Sequence, residues 1–154
     1  MKTKIIVCII AVSALYSCSK KEILEKDGGI IISESNRYIS TKDRLVVVTS
    51  TSFTEGDKSD TLKIQLSDKD WNILQKSFTK NQIFSISNNH PEIGEKSNSI
   101  IPFPKKIEIK TNKRNLTINY NYFVGNEKID TVKSKNLKQF MRTFDSIIYY
   151  KTIK

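Results

Sequence analysis

The feature that most restricts the fold is a change of hydrophobic period, from two residues to about 3.6, which occurs twice along the chain. Leu45-Val46-Val47-Val48-Thr49-Ser50-Thr51-Ser52-Phe53 is rich in β-branched residues and reads as a strand. After the polar turn Glu55-Gly56-Asp57-Lys58-Ser59-Asp60, Leu62, Ile64 and Leu66 alternate with Lys63 and Gln65, as in a half-buried strand. Ser67-Asp68-Lys69-Asp70 is a capping-box pattern, and Trp71, Leu74 and Phe78 then share one helical face. The order returns further on. Ile107 and Ile109 alternate with charged residues, Asn112-Lys113-Arg114-Asn115 is a turn, and Leu116, Ile118, Tyr120 and Tyr122 alternate again. Leu137, Phe140, Met141, Phe144, Ile147 and Ile148 form the clearest helical stripe, with Ser134 as the expected cap.

Two hairpins with one apolar face each, and two helices with one stripe each, predict an α+β fold. The expected form is a four-stranded antiparallel sheet in ββα-ββα order, with both helices packed on one face. The order repeats but the sequence does not, so no duplication is inferred. At 154 residues and 38% hydrophobic, the chain has the length of one domain and enough apolar side chains for a core. The connection over residues 80–104 is about 25 residues, longer than the ~15 that compact domains usually allow. Its apolar segments, Ile83-Phe84-Ser85-Ile86 and Ile100-Ile101-Pro102-Phe103-Pro104, read as a cover for the sheet edge or core, with a functional loop as the alternative.

The N-terminus follows another logic. Met1-Lys2-Thr3-Lys4 is basic, Ile5-Ile6-Val7-Cys8-Ile9-Ile10-Ala11-Val12 is apolar, and small residues follow, which is the layout of a secretory signal. As a helix, residues 5–17 reach about 20 Å, short of a ~30 Å hydrocarbon core, so a permanent span is not expected. Leu15-Tyr16-Ser17-Cys18 resembles the lipobox of bacterial lipoproteins, of the small Bacteroidota type. The resemblance covers about the first twenty residues. It implies cleavage before Cys18, diacylation of its thiol and acylation of the new N-terminus. Ser19, standing where inner-membrane lipoproteins often carry Asp, favours outer-membrane sorting by the same resemblance. The expected organisation is a signal peptide at 1–17, a lipidated tether at 18–42 and a domain at 43–154. Gly28-Gly29 serves as flexible punctuation in that tether, and Ile30-Ile31-Ile32 reads as the exception, a short edge strand. Cys8 would leave with the signal, and lipidation would leave no free thiol in the domain.

Chemical signatures are sparse. His90 is the only imidazole and shows no partner in the sequence, while five glycines form no phosphate-binding loop. Neither a cofactor nor a metal is expected. Asp68 and Asp70 suit a helix N-terminus, and Trp71 suits the core. The formal charge of +10 falls to +8 without Lys2 and Lys4. Its densest stretch, Lys105, Lys106, Lys110, Lys113 and Arg114, is a candidate anion-contact surface on the second hairpin. No stacking aromatics are interleaved there, and an envelope location removes nucleic acid as a partner. An anionic glycan or an envelope protein remains, besides the membrane reached through the lipid. Asp60-Thr61-Leu62, Asp130-Thr131-Val132 and Asp145-Ser146-Ile147 resemble O-glycosylation acceptors of Bacteroidota. The expected function is a lipid-anchored, non-catalytic binding or interaction lipoprotein of the bacterial envelope. Its alternatives are an inhibitor or immunity-type lipoprotein and a small envelope hydrolase working near His90.

Overall fold

The computed structural model describes residues 21–52, 56–97 and 104–152. In chain order these form β1 (Ile30–Ser33), β2 (Arg37–Ser40), β3 (Leu45–Ser52), β4 (Gly56–Lys63), α1 (Asp68–Lys80), a 3-10 turn (Ile83–Ser85), β5 (Gly94–Lys96), β6 (Lys105–Lys110), β7 (Asn115–Phe123) and α2 (Thr131–Thr152). The signal segment 1–17, Cys18 and the apolar residues 100–103 lie outside the described residues.

Both expected ββα units are present, as β3-β4-α1 and β6-β7-α2, but they do not meet edge to edge. The four-stranded antiparallel sheet is therefore corrected to a seven-stranded mixed sheet in the order β4-β3-β2-β1-β6-β7-β5. Strands β1 and β2 fill the space between the hairpins, and β5 adds to β7 in parallel.

The tether reading of residues 18–42 is corrected with it, because the described part of that segment holds the middle of the sheet. Ile30 and Ile32 are fully buried; Ile30 lies opposite Ile109, and Ile32 lies between Ile39 and Ile107. Continued through Ile118 and Val46, the latter row crosses five strands on one face. Each such burial contributes about 2 kcal/mol, which a solvated tether would forgo. Gly28 and Gly29 are packing positions instead of flexible ones. A Cβ on Gly28 would lie 2.0 Å from Lys110 Cδ, and Gly29 has φ +67° with Thr41 Oγ1 2.2 Å from the same built atom. Thr41 Oγ1 also accepts from the Ile30 amide at 2.7 Å, which starts β1.

Both helices lie on the buried face of the sheet and share its core. Trp71, Leu74 and Phe78 of α1 and Leu137, Phe140, Phe144 and Ile148 of α2 join the strand isoleucines in one cluster. The Phe78 and Phe140 rings meet edge-on at 6.1 Å, and Ser77 Oγ donates to Thr143 Oγ1 at 3.1 Å between the helices. The capping box forms as read: Asp70 N donates to Ser67 Oγ at 3.3 Å and Ser67 N to Asp70 Oδ2 at 2.8 Å. Helix α2 differs. Its cap is Asp130, whose Oδ1 accepts from Lys133 N at 2.9 Å, while Ser134 lies buried inside the first turn.

The β3–β4 hairpin outruns the helices. Residues 57–60, expected in a turn, pair with 48–51, and every residue of β4 is exposed. Leu62 is therefore exposed and Ile64, just past the strand, is the buried one. No helix among the described residues is long and apolar enough to cross a membrane.

Candidate functional site

The basic hairpin is spread over both sides of the sheet. Lys105 stands opposite Tyr120 on the helix-covered face, whereas Lys106, opposite Asn119, points to the other. Four of the five cations meet carboxylates: Lys105 with Glu34 at 3.0 Å, Lys106 with Glu108 at 2.5 Å, Lys110 with Glu25 at 2.9 Å and Arg114 with Glu22 at 3.1 Å. Lys113 is exposed at the turn, and its amide donates to Thr111 Oγ1 at 3.3 Å. Cys18 is not among the described residues.

The long connection gives His90 the partners that sequence did not show. Asn88 Oδ1 accepts from Thr117 N at 2.6 Å and Asn89 N donates to Thr117 O at 2.8 Å, which fastens the turn to β7. His90 Nδ1 then accepts from Glu92 N at 3.3 Å, and Nε2 lies 3.2 Å from Lys133 Nζ and 3.7 Å from Asp130 Oδ2. Asp130 is already engaged as the α2 cap and pairs with Lys133 at 3.0 Å. The backbone bond from Lys133 is the main reason its carboxyl is held below the usual range; burial opposes it, and the Lys133 side chain and His90 add to the lowering. These contacts latch the connection onto the start of α2.

A concave surface lies between β5, β7 and α2. It is a groove of about 470 Å³ whose walls include Gly94, Glu95, Tyr120, Ser134 and Lys138. A smaller hollow of about 80 Å³ shares Glu95, Tyr120 and Lys138 with it and adds Tyr122, Met141 and Asp145. Its construction depends on β5. Gly94 lies so close to β7 that a Cβ there would sit 1.9 Å from Asn121 O, and its amide donates to buried Ser134 Oγ at 3.0 Å. Glu95 and Lys138 form an ion pair across the groove.

Burial pushes the Tyr120 phenol upward and the Glu95 carboxylate adds to the shift, so it stays protonated and able to donate. The Tyr120 and Tyr122 rings meet edge-on at 6.0 Å. Two aromatic rings and a methionine beside the carboxylates of Glu95 and Asp145 and the ammonium groups of Lys105 and Lys138 suit a ligand with an apolar body and a polar end. Sequence reading missed this site because Gly94 and Glu95 sit in the connection, far in sequence from Lys138. The pairing of Tyr120 with Tyr122 on one strand face, and Lys105 of the basic hairpin, which stands opposite Tyr120 and lines the smaller hollow, were its traces in the sequence. Among the described residues, no cluster of three or more His, Cys, Asp or Glu side chains is placed to hold a metal.

No protein-family profile, curated protein or solved structure matches the chain.

Proposed function

We propose that this chain is a lipid-anchored, non-catalytic binding protein of the bacterial envelope, held by Cys18 and meeting its ligand or partner protein in the groove between β5, β7 and α2. The observation that carries the reading is Leu15-Tyr16-Ser17-Cys18 standing directly behind a basic and then an apolar segment. Two or three acyl chains, at about 0.8 kcal/mol per buried methylene, hold a protein stably at a membrane, whereas one holds it marginally. The groove supports binding because its polar groups converge on an aromatic surface. His90 supports a structural use of the connection, since both ring nitrogens face groups that fasten it to Glu92 and the start of α2.

Fractionation of cells producing Cys18→Ala tests the anchor. The substituted protein is expected in the soluble fraction and the wild type in the membrane fraction. Equal pelleting of both, with no lipid on the wild type, would refute it. Capture of a stoichiometric partner by the solubilised wild type, lost in Lys138→Glu, assigns the binding surface to the groove. Capture that Lys138→Glu leaves unchanged removes the groove from that role.

A further inference from the structure

The N-terminal residues of the described chain are fixed to one end of the domain. Ile23 N donates to Asn112 Oδ1 at 2.8 Å, Asn112 N to Ile23 O at 2.9 Å and Asn112 Nδ2 to Lys21 O at 3.3 Å. Arg114 joins three segments there: its Nε donates to Glu22 Oε1 at 3.1 Å and its Nη2 to Phe84 O at 2.6 Å. The same carboxylate accepts from Thr111 Oγ1 at 3.0 Å. Chain entry, the β6–β7 turn and the 3-10 turn therefore form a single surface. It displays Ile23, 47% exposed, and Phe84, 44% exposed, beside the exposed Lys21 and Lys113.

We propose that this end of the domain rests on the membrane, with Ile23 and Phe84 entering the headgroup layer and Lys21 and Lys113 meeting the phosphates of anionic lipids. The inference rests on the lipid-anchor reading. Glu22 is four positions after Cys18, so its Cα lies within about 14 Å of the Cys18 Cα even at full extension. That reach leaves no room for the domain to turn away on a long leash. Exposed apolar side chains flanked by lysines are what an interfacial layer accepts: the apolar groups leave water and the ammonium groups stay at the phosphates. Arg114, committed to Glu22 and Phe84, clamps the surface together. The groove lies toward the other end of β7, since Tyr120 and Tyr122 are six and eight residues beyond Arg114. It therefore faces away from the bilayer.

The lipidated protein beginning at Cys18, reconstituted into vesicles of phosphatidylethanolamine and phosphatidylglycerol carrying a spin label near the headgroup, tests this orientation. Phe84→Trp and Ile23→Trp place a fluorophore on the proposed surface, and Val124→Trp places one at the opposite end of β7, where Val124 is 52% exposed. The protein is expected to float with the vesicles. The added emission of Phe84→Trp or Ile23→Trp should be mostly lost to the label, and that of Val124→Trp retained. Floating protein with any other pattern would overturn the orientation and leave the anchor standing. Protein that does not float would overturn the anchor, and the orientation with it.

Discussion

Replacing Ile32 by Ala should cost about 3–4 kcal/mol, because three buried carbons are lost and the cavity left behind collapses only in part. Ile32 is fully buried in the central strand, between Ile39 and Ile107 in register, under a shared helical layer. Its neighbour Ile31 points to the open face, opposite Ser40 and Glu108, and is only partly covered. Ile31→Ala should therefore cost no more than about 1 kcal/mol. Urea titration of the two proteins, both carrying Cys18→Ala so that lipid plays no part, reads the difference directly. With a slope of about 1.5–2 kcal/mol per molar for a domain of this size, Ile32→Ala should lower the midpoint by roughly 2 M. A loss below about 0.5 kcal/mol, the range of surface substitutions, would show that residues 30–33 behave as a tether and would refute the central placement of β1. Equal losses at the two positions would refute the assigned register.

Two further perturbations probe other parts of the structure. Gly94→Ala would drive a Cβ to 1.9 Å from the Asn121 carbonyl oxygen, a backbone atom that cannot move aside, so β5 should leave β7. Hydrogen exchange of the Ser97 amide, which donates to Phe123 O at 3.0 Å, should accelerate markedly, and unchanged protection would contradict the parallel pairing. Acid should weaken the fold through Glu34 and Asp70 as well as Asp130. Burial opposes ionisation of Glu34, but Arg37 and Lys105 outweigh it and hold its carboxyl below the usual range. Ser67 and Lys151 likewise outweigh burial at Asp70. Because these folded-state values lie below the unfolded ones, the added stability is present above about pH 4 and lost as pH falls through the folded-state values. The urea midpoint should drop from about pH 7 to about pH 3, less steeply in Glu34→Gln, and an equal drop in both proteins would remove Glu34 from this role.

Much of the architecture was legible where local signals were strong. The Ser67–Asp70 capping box, the Trp71-Leu74-Phe78 face and the α2 stripe all formed, because each rests on contacts between residues close in sequence. The middle of the sheet was not legible. Three isoleucines behind two glycines resemble a linker with an apolar accident, and only pairing with β6, more than seventy residues away, makes them central. Strand β2 is four residues long and its alternation too brief to recognise. The α2 cap was misplaced because Asp130 and Ser134 are both good N-cap residue types. The choice between them turns on Gly94, whose amide claims Ser134. The groove was hidden for the same reason: Glu95 and Lys138 meet only through the parallel addition of β5. The positive charge of the second hairpin was plain in the sequence, but its neutralisation by Glu22, Glu25, Glu34 and Glu108 was not.

Lipid attachment at Cys18 is tested most directly by the intact mass of the protein extracted with detergent from membranes. The expected mass is that of a chain beginning at Cys18 with a diacylglyceryl group and one further acyl chain. A sugar at Thr61 or Thr131 would appear as an additional increment, whereas Ser146, inside α2, is not expected to carry one. A chain that still carries residues 1–17, or one of unmodified mass, would contradict the anchor.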